Sequence, residues 1–233
     1  MRVRKSRVRC GGLAADEWDV TGFAWRDLAD GTPEALAAVD AAIEACGAPS
    51  RERAERVALI ATAIGGRLGL ADALIGRIAI AGGLRDIGMC AVPEAILSKQ
   101  GPLTSSEMEE IKRHPEAGQR LVDDAGMPEI GTWIRHHHER WDGSGYPDCL
   151  SGPEIPIESR ILAIADALAA MTVERPYRSA MGAEMAGLEI KASAGTQFDP
   201  GIARIVIALL ERDAFAGEEP EVTAPVPEQP SRA

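Results

Sequence analysis

The chain has 233 residues, 45% of them apolar, which suffices for one substantial globular domain with extensions but not for a second large domain. Its 25 basic and 36 acidic residues give a net charge of −11, which argues against a protein that coats a nucleic acid polymer, because such proteins need a cationic surface. The four cysteines form no CxxC pair, so we expect neither a zinc knuckle nor a disulfide framework, and a reducing, cytoplasmic location.

The first 31 residues have no clear periodicity and are assigned to an N-terminal extension of unknown structure. Residues 1–9 are basic, but Asp16 and Glu17 interrupt the segment in which the apolar core of a signal peptide would lie. We therefore predict no signal peptide. The sequence also lacks an apolar run long enough to cross a bilayer, so no membrane span is predicted.

Helical spacing of apolar residues starts at Thr32-Pro33, an N-cap and a first helical residue, and stops at Gly47. A second helix is predicted from Ser50, and its apolar face comprises Val57, Ile60, Ala61, Ile64 and Leu68. A third is predicted over Ala71–Asp86, with apolar residues at Leu74, Ile75, Ile78 and Ala81.

The run Thr104-Ser105-Ser106-Glu107 is a capping box, which predicts a helix that carries Met108, Ile111, His114, Gly118 and Leu121. Further helices are predicted over 128–139, 158–174, 182–192 and 199–212. Because no useful length of chain alternates with a period of two, the fold class is all-α, in a bundle over residues 32–213. Residues 214–233 are rich in Pro and Glu, the composition of a disordered tail.

Three neighbouring imidazoles, His136-His137-His138, run into a loop that contains two glycines and a Tyr-Pro pair, with the sequence HHERWDGSGYP. Neutral imidazoles are common metal ligands. Arg85-Asp86 lies upstream, a KRHPEAG run surrounds His114, and Asp166 lies downstream in an apolar segment. Over about residues 50–212 the chain resembles the HD-GYP family, HD-superfamily phosphodiesterases that hydrolyse cyclic dinucleotides such as cyclic di-GMP.

This resemblance implies an HD-domain helical bundle of the HD-GYP type and a cytoplasmic role in second-messenger signalling. It also implies a divalent metal, iron or manganese, since bound metal supplies hydroxide and positive charge for hydrolysing a phosphodiester. The positions that match the metal ligands of the family are Asp86, His114, His137, His138 and Asp166. Asp86, which matches the aspartate of the HD dyad, is also the candidate catalytic residue.

Four positions depart from the pattern of the family. Its upstream Glu and His are replaced by Pro49 and Arg53, the dyad histidine by Arg85, and the lysine three residues after the aspartate by Met89. A guanidinium has no lone pair to offer a metal and repels a nearby cation.

We therefore expect one ion at most, held by Asp86, His114 and His137, and a metal-free site is the alternative. One hypothesis is that the two arginines take the place of the lost cations and neutralise Asp86 and Asp166. Another is that they face a phosphate, which gives recognition without hydrolysis.

By resemblance, Arg175 and Arg178 contact the phosphates or bases of the dinucleotide, although a role as positive charges at a helix C-terminus is an equal alternative. Gly143 and Gly145 are expected to adopt positive φ, and Tyr146 to stiffen the loop beside the site. In the family this loop also contacts diguanylate-cyclase (GGDEF) partners.

Two functions remain open from the sequence. The first is a cyclic dinucleotide phosphodiesterase whose hydrolysis is weakened or lost. The second is a non-catalytic signalling module that binds a cyclic dinucleotide or a GGDEF-type partner. His136 lies outside the matched pair and is predicted to be a solvated helix residue.

Overall fold

A computed structural model describes residues 48–172 and 181–216 of the chain. In these two ranges the regular structure is helical and no strand is present, in agreement with the predicted all-α class. The α-helices are α1 Ala48–Arg67, α2 Asp72–Leu84, α3 Glu94–Leu97, α4 Ser105–Ile111, α5 His114–Asp124, α6 Pro128–Arg135, α7 Ile157–Thr172, α8 Ala183–Ser193 and α9 Pro200–Ala216. Short 3-10 helices span Ile87–Ala91 and Gly152–Glu154.

Helix α7 lies at the centre of the bundle, where it contacts α1, α2, α6, α8 and α9. Its sequence is apolar on most sides, as expected of a helix that is surrounded by others. The fully buried apolar residues of α7 are Ile161, Leu162, Ile164, Ala165 and Ala169. Each large side chain among them contributes about 1.5–3 kcal/mol on burial. Asp166, whose side chain is 14% exposed, lies in this central helix.

The predicted apolar faces of α1 and α2 are confirmed. In α1, the predicted core residues Val57, Ile60, Ala61 and Ile64 are almost fully buried, and Leu68, just after the helix, packs against the core. In α2, Ile75, Ile78 and Ala81 are buried and Leu74 is partly buried. The two helices pack along each other and close one side of the bundle around α7.

The single helix predicted after Thr104 is wrong, because the chain breaks into α4 and α5 at Lys112-Arg113. The capping box itself is present, with Glu107 N bonded to the Thr104 hydroxyl. Pro115 explains the break, since proline has no N–H to donate to the Ile111 carbonyl four residues earlier. As a result, Met108 and Leu121 are exposed instead of joining the core.

Helix α6 ends at Arg135, four residues before the predicted end, so the three histidines lie in the turn that follows. Nearby, the 3-10 helix Ile87–Ala91 packs on α5 at Gly88. A Cβ atom at Gly88 would overlap the carbonyl oxygen of His114 and the amide nitrogen of Gly118. This close approach of two backbones brings the end of α2, and with it Asp86, next to the start of α5.

Several predictions fall outside the described residues: the helix over 32–47, the N-terminal extension, the segment with Arg175 and Arg178, and the tail beyond Ala216. The domain limits at 31/32 and 213/214 stay predictions, although α9 continues to Ala216. No helix in the described ranges combines the length and the apolar character that a bilayer crossing requires.

Candidate functional site

Four candidate ligands come together on one side of the bundle. Asp86 follows the end of α2, His114 starts α5, and His137 and His138 follow the end of α6. One ligand atom from each of these side chains lies within 4.8 Å of the others. His114 and His137 are buried, while Asp86 and His138 are partly exposed, so the cluster opens toward solvent on one side.

Helix ends fix the orientation of two of the rings. His114 Nδ1 lies 2.8 Å from the Ile111 carbonyl oxygen, and His137 Nδ1 lies 2.6 Å from the Ile134 carbonyl oxygen. Both carbonyls lie in the last turn of a helix, where the regular helical partner is missing. Because a carbonyl only accepts, each Nδ1 donates, and Nε2 carries the lone pair.

The Nε2 atoms of His114 and His137 are buried and have no hydrogen-bond partner among the described residues. Buried polar atoms are normally paired, so two unpaired lone pairs that face the same space require an explanation. A divalent ion bound by both nitrogens supplies one. The donor set therefore fits a metal ion, with three imidazoles and one carboxylate as its ligands.

Burial keeps two of the imidazoles neutral. Desolvation, followed by repulsion from His114, lowers the pKa of His137 to about 3. Desolvation, followed by repulsion from His137 and His114, lowers the pKa of His138 to about 2. A neutral ring is the form that binds a metal, so at neutral pH these two side chains are ready to act as ligands.

The carboxylate of Asp86 is shared between two neighbours. Its Oδ1 lies 3.7 Å from His114 Nε2, on the side of the cluster, and its Oδ2 lies 2.8 Å from Arg85 Nη2. One oxygen is thus directed to the metal ligands and the other is neutralised by a guanidinium. The side chain of Asp86 is 38% exposed, which places it at the solvent-open edge of the cluster.

Asp166 is engaged by two arginines. Its Oδ1 accepts from Arg85 Nε at 2.6 Å and from Arg53 Nη2 at 2.9 Å, and its Oδ2 accepts from Arg53 Nη2 at 2.9 Å. Burial would raise the pKa of Asp166, but attraction by Arg85 and Arg53 holds it well below its usual range. The expected ion pairs are present, Arg85 with both carboxylates and Arg53 with Asp166, while the idea that these arginines take the place of lost cations stays a prediction.

Arg85 is almost fully buried, with only 2% of its side chain exposed. Burial alone would lower its pKa, but Asp86 and Asp166 raise it above the usual value. Its third donor, Nη1, bonds to the Gly82 carbonyl at 2.9 Å. Each nitrogen of this guanidinium therefore has a partner, as a buried charge requires.

The loop after the histidines is held from within by Glu139. This side chain is 3% exposed, and its carboxylate accepts from the amides of Asp148 at 2.7 Å and Leu150 at 3.1 Å. Gly145 is needed for close approach, because a Cβ there would overlap the backbone of Glu139 and Arg140. Its predicted positive φ is wrong, whereas Gly143 has φ 79° as predicted.

Tyr146 lies beside the cluster and stacks on His138, with 4.9 Å between ring centroids. Burial, followed by the charges of Asp86 and Asp166, raises the pKa of Tyr146 to about 12. Its hydroxyl thus keeps its proton at neutral pH. The ammonium group of Lys112 lies 5.8 Å from the centre of the tyrosine ring.

A family model for the HD domain matches residues 39–202, well over half of the chain. The chain belongs to the HD-domain family. Among curated HD-domain relatives, the cyclic di-GMP phosphodiesterase response regulator RpfG of Xanthomonas campestris is 41% identical over 159 residues, which cover 67% of this chain and 41% of that protein. A cyclic di-GMP phosphodiesterase of Thermotoga maritima is 36% identical over 175 residues, which cover 73% of this chain and 48% of that protein.

The chain therefore spans less than half the length of these curated relatives. Solved structures agree on the fold. A cyclic GMP-AMP specific phosphodiesterase of V. cholerae matches with a TM-score of 0.59 at 19% identity. The match covers 77% of this chain and 50% of that protein's chain. The HD domain of L. monocytogenes PgpH, in complex with cyclic-di-AMP, matches with a TM-score of 0.55 at 18% identity. That match covers 81% of this chain and 98% of the PgpH chain. The HD-GYP recognition and the helical HD fold are thus confirmed.

The structure separates the residues that were predicted as metal ligands of this HD-domain site. Asp86, His114, His137 and His138 form the ligand cluster, while Asp166 lies outside that set and binds arginines instead. Met89 is partly buried in the 3-10 helix after Asp86, and Pro49 lies in the first turn of α1. The metal and ligand roles of all these residues stay predictions.

The prediction for His136 is wrong. It is the C-cap of α6, its side chain is only 12% exposed, and its Nε2 lies 2.9 Å from the Asp148 carboxylate. Arg135 binds the same carboxylate at 2.6 and 2.7 Å. Sequence reasoning also missed Glu139, which holds the loop through backbone amides. Its position between the histidine pair and the glycine loop was the available signal, because a carboxylate that is buried there needs backbone donors.

Proposed function

We propose that this chain is an HD-domain phosphodiesterase module for cyclic dinucleotides, with one divalent-ion site and weakened hydrolysis. The observation that carries the proposal is the cluster of Asp86, His114, His137 and His138, whose ligand atoms lie within 4.8 Å of one another. The unpaired Nε2 atoms of His114 and His137 support it, because both face the position that an ion would fill. Iron and manganese are the proposed metals.

A bound ion would lower the pKa of a water molecule and polarise a phosphoryl oxygen. The residues of the chain contribute the remaining functions. Asp86 stands at the open edge, where it contacts both the cluster and solvent. Tyr146 retains its proton, so its hydroxyl is available to donate to a phosphoryl oxygen. Glu139 holds the loop that carries this tyrosine.

The substrate class rests on the relatives. Curated proteins at 33–41% identity are named phosphodiesterases of cyclic di-GMP or of 3'3'-cGAMP. A dianionic ligand also needs local positive charge in a chain whose net charge is −11. Arg53 provides such charge within the described residues, and Arg175 and Arg178 are proposed as further ligand contacts from the sequence alone.

A second candidate function is a non-catalytic module that binds a cyclic dinucleotide or a GGDEF-type partner. The observation that favours it is the pairing of Asp166 with Arg53 and Arg85, which engages Oδ1 with two donors and Oδ2 with one and neutralises the charge that would attract a second ion. Hydrolysis that depends on two ions is then lost, while recognition persists. The loop around Gly143 and Tyr146 is the proposed partner contact.

Metal content and turnover distinguish the two functions. The protein is purified without a histidine tag, its metal is measured by elemental analysis, and hydrolysis of cyclic di-GMP and 3'3'-cGAMP is followed with added manganese or iron. One ion per chain with slow turnover is the expected result. Metal-free protein that binds a cyclic dinucleotide without hydrolysing it would favour the second candidate. Two or more ions per chain would contradict the single-ion site.

A further inference from the structure

The two arginines on Asp166 differ in how many of their donors are used. Arg85 is buried and engages Nε, Nη1 and Nη2 with Asp166, Gly82 and Asp86. Arg53 makes both of its hydrogen bonds within the described residues through Nη2 alone. Its Nε is buried and has no partner in the same part of the chain.

A guanidinium has five N–H donors in a planar fork. Nη1 of Arg53 makes no hydrogen bond within the described residues and is not among their buried unpaired atoms, whereas Nε is enclosed by the protein. The side chain is 35% exposed, in contrast to 2% for Arg85, so a ligand can reach it. Arg53 therefore has both an open face and donors to spare.

Arg53 is linked to the ligand cluster through ion pairs. A continuous series of ion pairs runs from Arg53 through Asp166 and Arg85 to Asp86, at separations of 2.9, 2.6 and 2.8 Å. Asp86 in turn lies 3.7 Å from His114 Nε2. Arg85 pairs with both carboxylates of this series and uses all three of its nitrogens. Within the described residues Arg53 pairs with Asp166 alone, so it is the arginine with donors that have no partner there.

We propose that Arg53 binds a non-bridging phosphoryl oxygen of the ligand through Nη1, while Nη2 remains on Asp166, and that Arg85 has no part in ligand contact. The inference rests on the proposed function only in taking the phosphodiester to be that of a cyclic dinucleotide. A guanidinium N–H suits a phosphoryl oxygen because the hydrogen bond is charge-assisted and the group stays protonated. Arg53 is thus a phosphate-binding residue, and Arg85 is a structural partner for the two carboxylates.

The proposal predicts opposite effects for changes at Arg53 and Asp166. Arg53→Met removes the donor and should weaken phosphate binding, whereas Asp166→Asn removes the carboxylate that offsets its charge and should strengthen it. A purely structural Arg53 predicts neither effect on the ligand. Arg77→Met is the matched control, since Arg77 is also exposed to solvent and paired with an acidic residue, but its contacts, Glu129 and Trp133, both lie on α6 and outside the ligand cluster.

Binding is measured with the full chain after treatment with EDTA, so that turnover plays no part. Isothermal titration calorimetry with cyclic di-GMP and ³¹P line broadening with inorganic phosphate are run on wild type and all variants. We expect Arg53→Met to weaken both ligands at least tenfold, Arg53→Lys to weaken them less, and Asp166→Asn to tighten them. Arg77→Met should match wild type.

Thermal unfolding of each variant excludes a loss of folding as the cause, and the double variant Arg53→Met with Asp166→Asn avoids a carboxylate left half-neutralised. Wild-type affinity in a folded Arg53→Met protein overturns the inference, as does wild type that binds neither probe. Arg53-dependent binding of inorganic phosphate without any binding of cyclic di-GMP would uphold the role of Arg53. It would contradict the proposed nucleotide function.

Discussion

At the scale of single residues, the two buried histidines owe their readiness as ligands to local backbone geometry. His114 and His137 each donate Nδ1 to a carbonyl three residues earlier, which turns Nε2 toward the cluster. The same contact fixes the tautomer, so no reorganisation is needed when an ion binds. His138 has no such carbonyl contact among the described residues, and its ring lies tilted against that of His137 and stacks on that of Tyr146.

His137→Ala is expected to abolish stable metal binding, because it removes one of two ligands whose nitrogen is already oriented. We expect at least a hundredfold loss of affinity for manganese, more than the 10–100-fold that is typical for a residue that only orients a ligand. Calorimetric titration of metal-free protein measures this. His136→Ala is the control, since His136 binds Asp148 outside the cluster, and its affinity should stay within about threefold of wild type.

Arg85→Met is expected to destabilise the fold by about 3–5 kcal/mol, because it leaves Asp166 and Asp86 short of the partner that neutralises them. Adding Asp166→Asn should restore much of this loss, since the amide carries no charge to bury. Urea unfolding of the two single variants and the double variant measures the coupling. Additive effects, with no rescue by Asp166→Asn, would contradict a direct interaction between Arg85 and Asp166.

At the scale of helices and loops, the site depends on where helices stop. Pro115 ends the helix predicted from Thr104 and frees the Ile111 carbonyl that His114 uses. The early end of α6 at Arg135 frees the Ile134 carbonyl for His137 in the same way. Each helix end thus supplies both the position and the hydrogen-bond acceptor of a ligand.

Gly88→Ala is expected to cost about 1–3 kcal/mol of stability, the usual range for overpacking, because a Cβ there overlaps the backbone of α5. It should also weaken metal binding, since the 3-10 helix that follows Asp86 would be pushed away from His114. Gly66→Ala is the control, because Gly66 is exposed in α1 and a Cβ there meets no atom within 4 Å. That variant should gain about 0.5–1 kcal/mol from helix propensity. Equal behaviour of the two variants would show that the close packing at Gly88 is unimportant.

Sequence patterns predicted the elements well where periodicity is strong, as in α1, α2 and the capping box at Thr104. They failed at Met108 and Leu121, because the periodic pattern continues across Pro115 while the helix does not. The metal ligands and the two arginines were accessible through the HHERWDGSGYP match. The unequal use of Arg53 and Arg85 was not, since it depends on burial and on which nitrogen meets which oxygen.

At the scale of the whole molecule, the cluster makes stability depend on pH when metal is absent. The folded state holds His137 and His138 neutral down to pKa values of about 3 and 2, whereas the unfolded chain binds protons at its histidines near pH 6.5. Between these values the unfolded state carries more protons than the folded state. Acidification therefore favours unfolding, and the stability that these residues provide near neutrality declines as the pH falls below about 6.5.

The expected slope approaches about 1.4 kcal/mol per pH unit for each of the two histidines between about pH 6 and pH 4.5. Asp166 acts in a lower window, because its depressed pKa stabilises the fold above the ordinary carboxyl pKa of about 4 and is lost only in stronger acid. Urea unfolding of EDTA-treated protein at several pH values measures the upper window, and His138→Asn should reduce its slope by about half. A stability that is flat from pH 6.5 to 4.5 would mean that the imidazoles accept protons in the folded state. In that case they could not provide the neutral nitrogens on which the single-ion site depends.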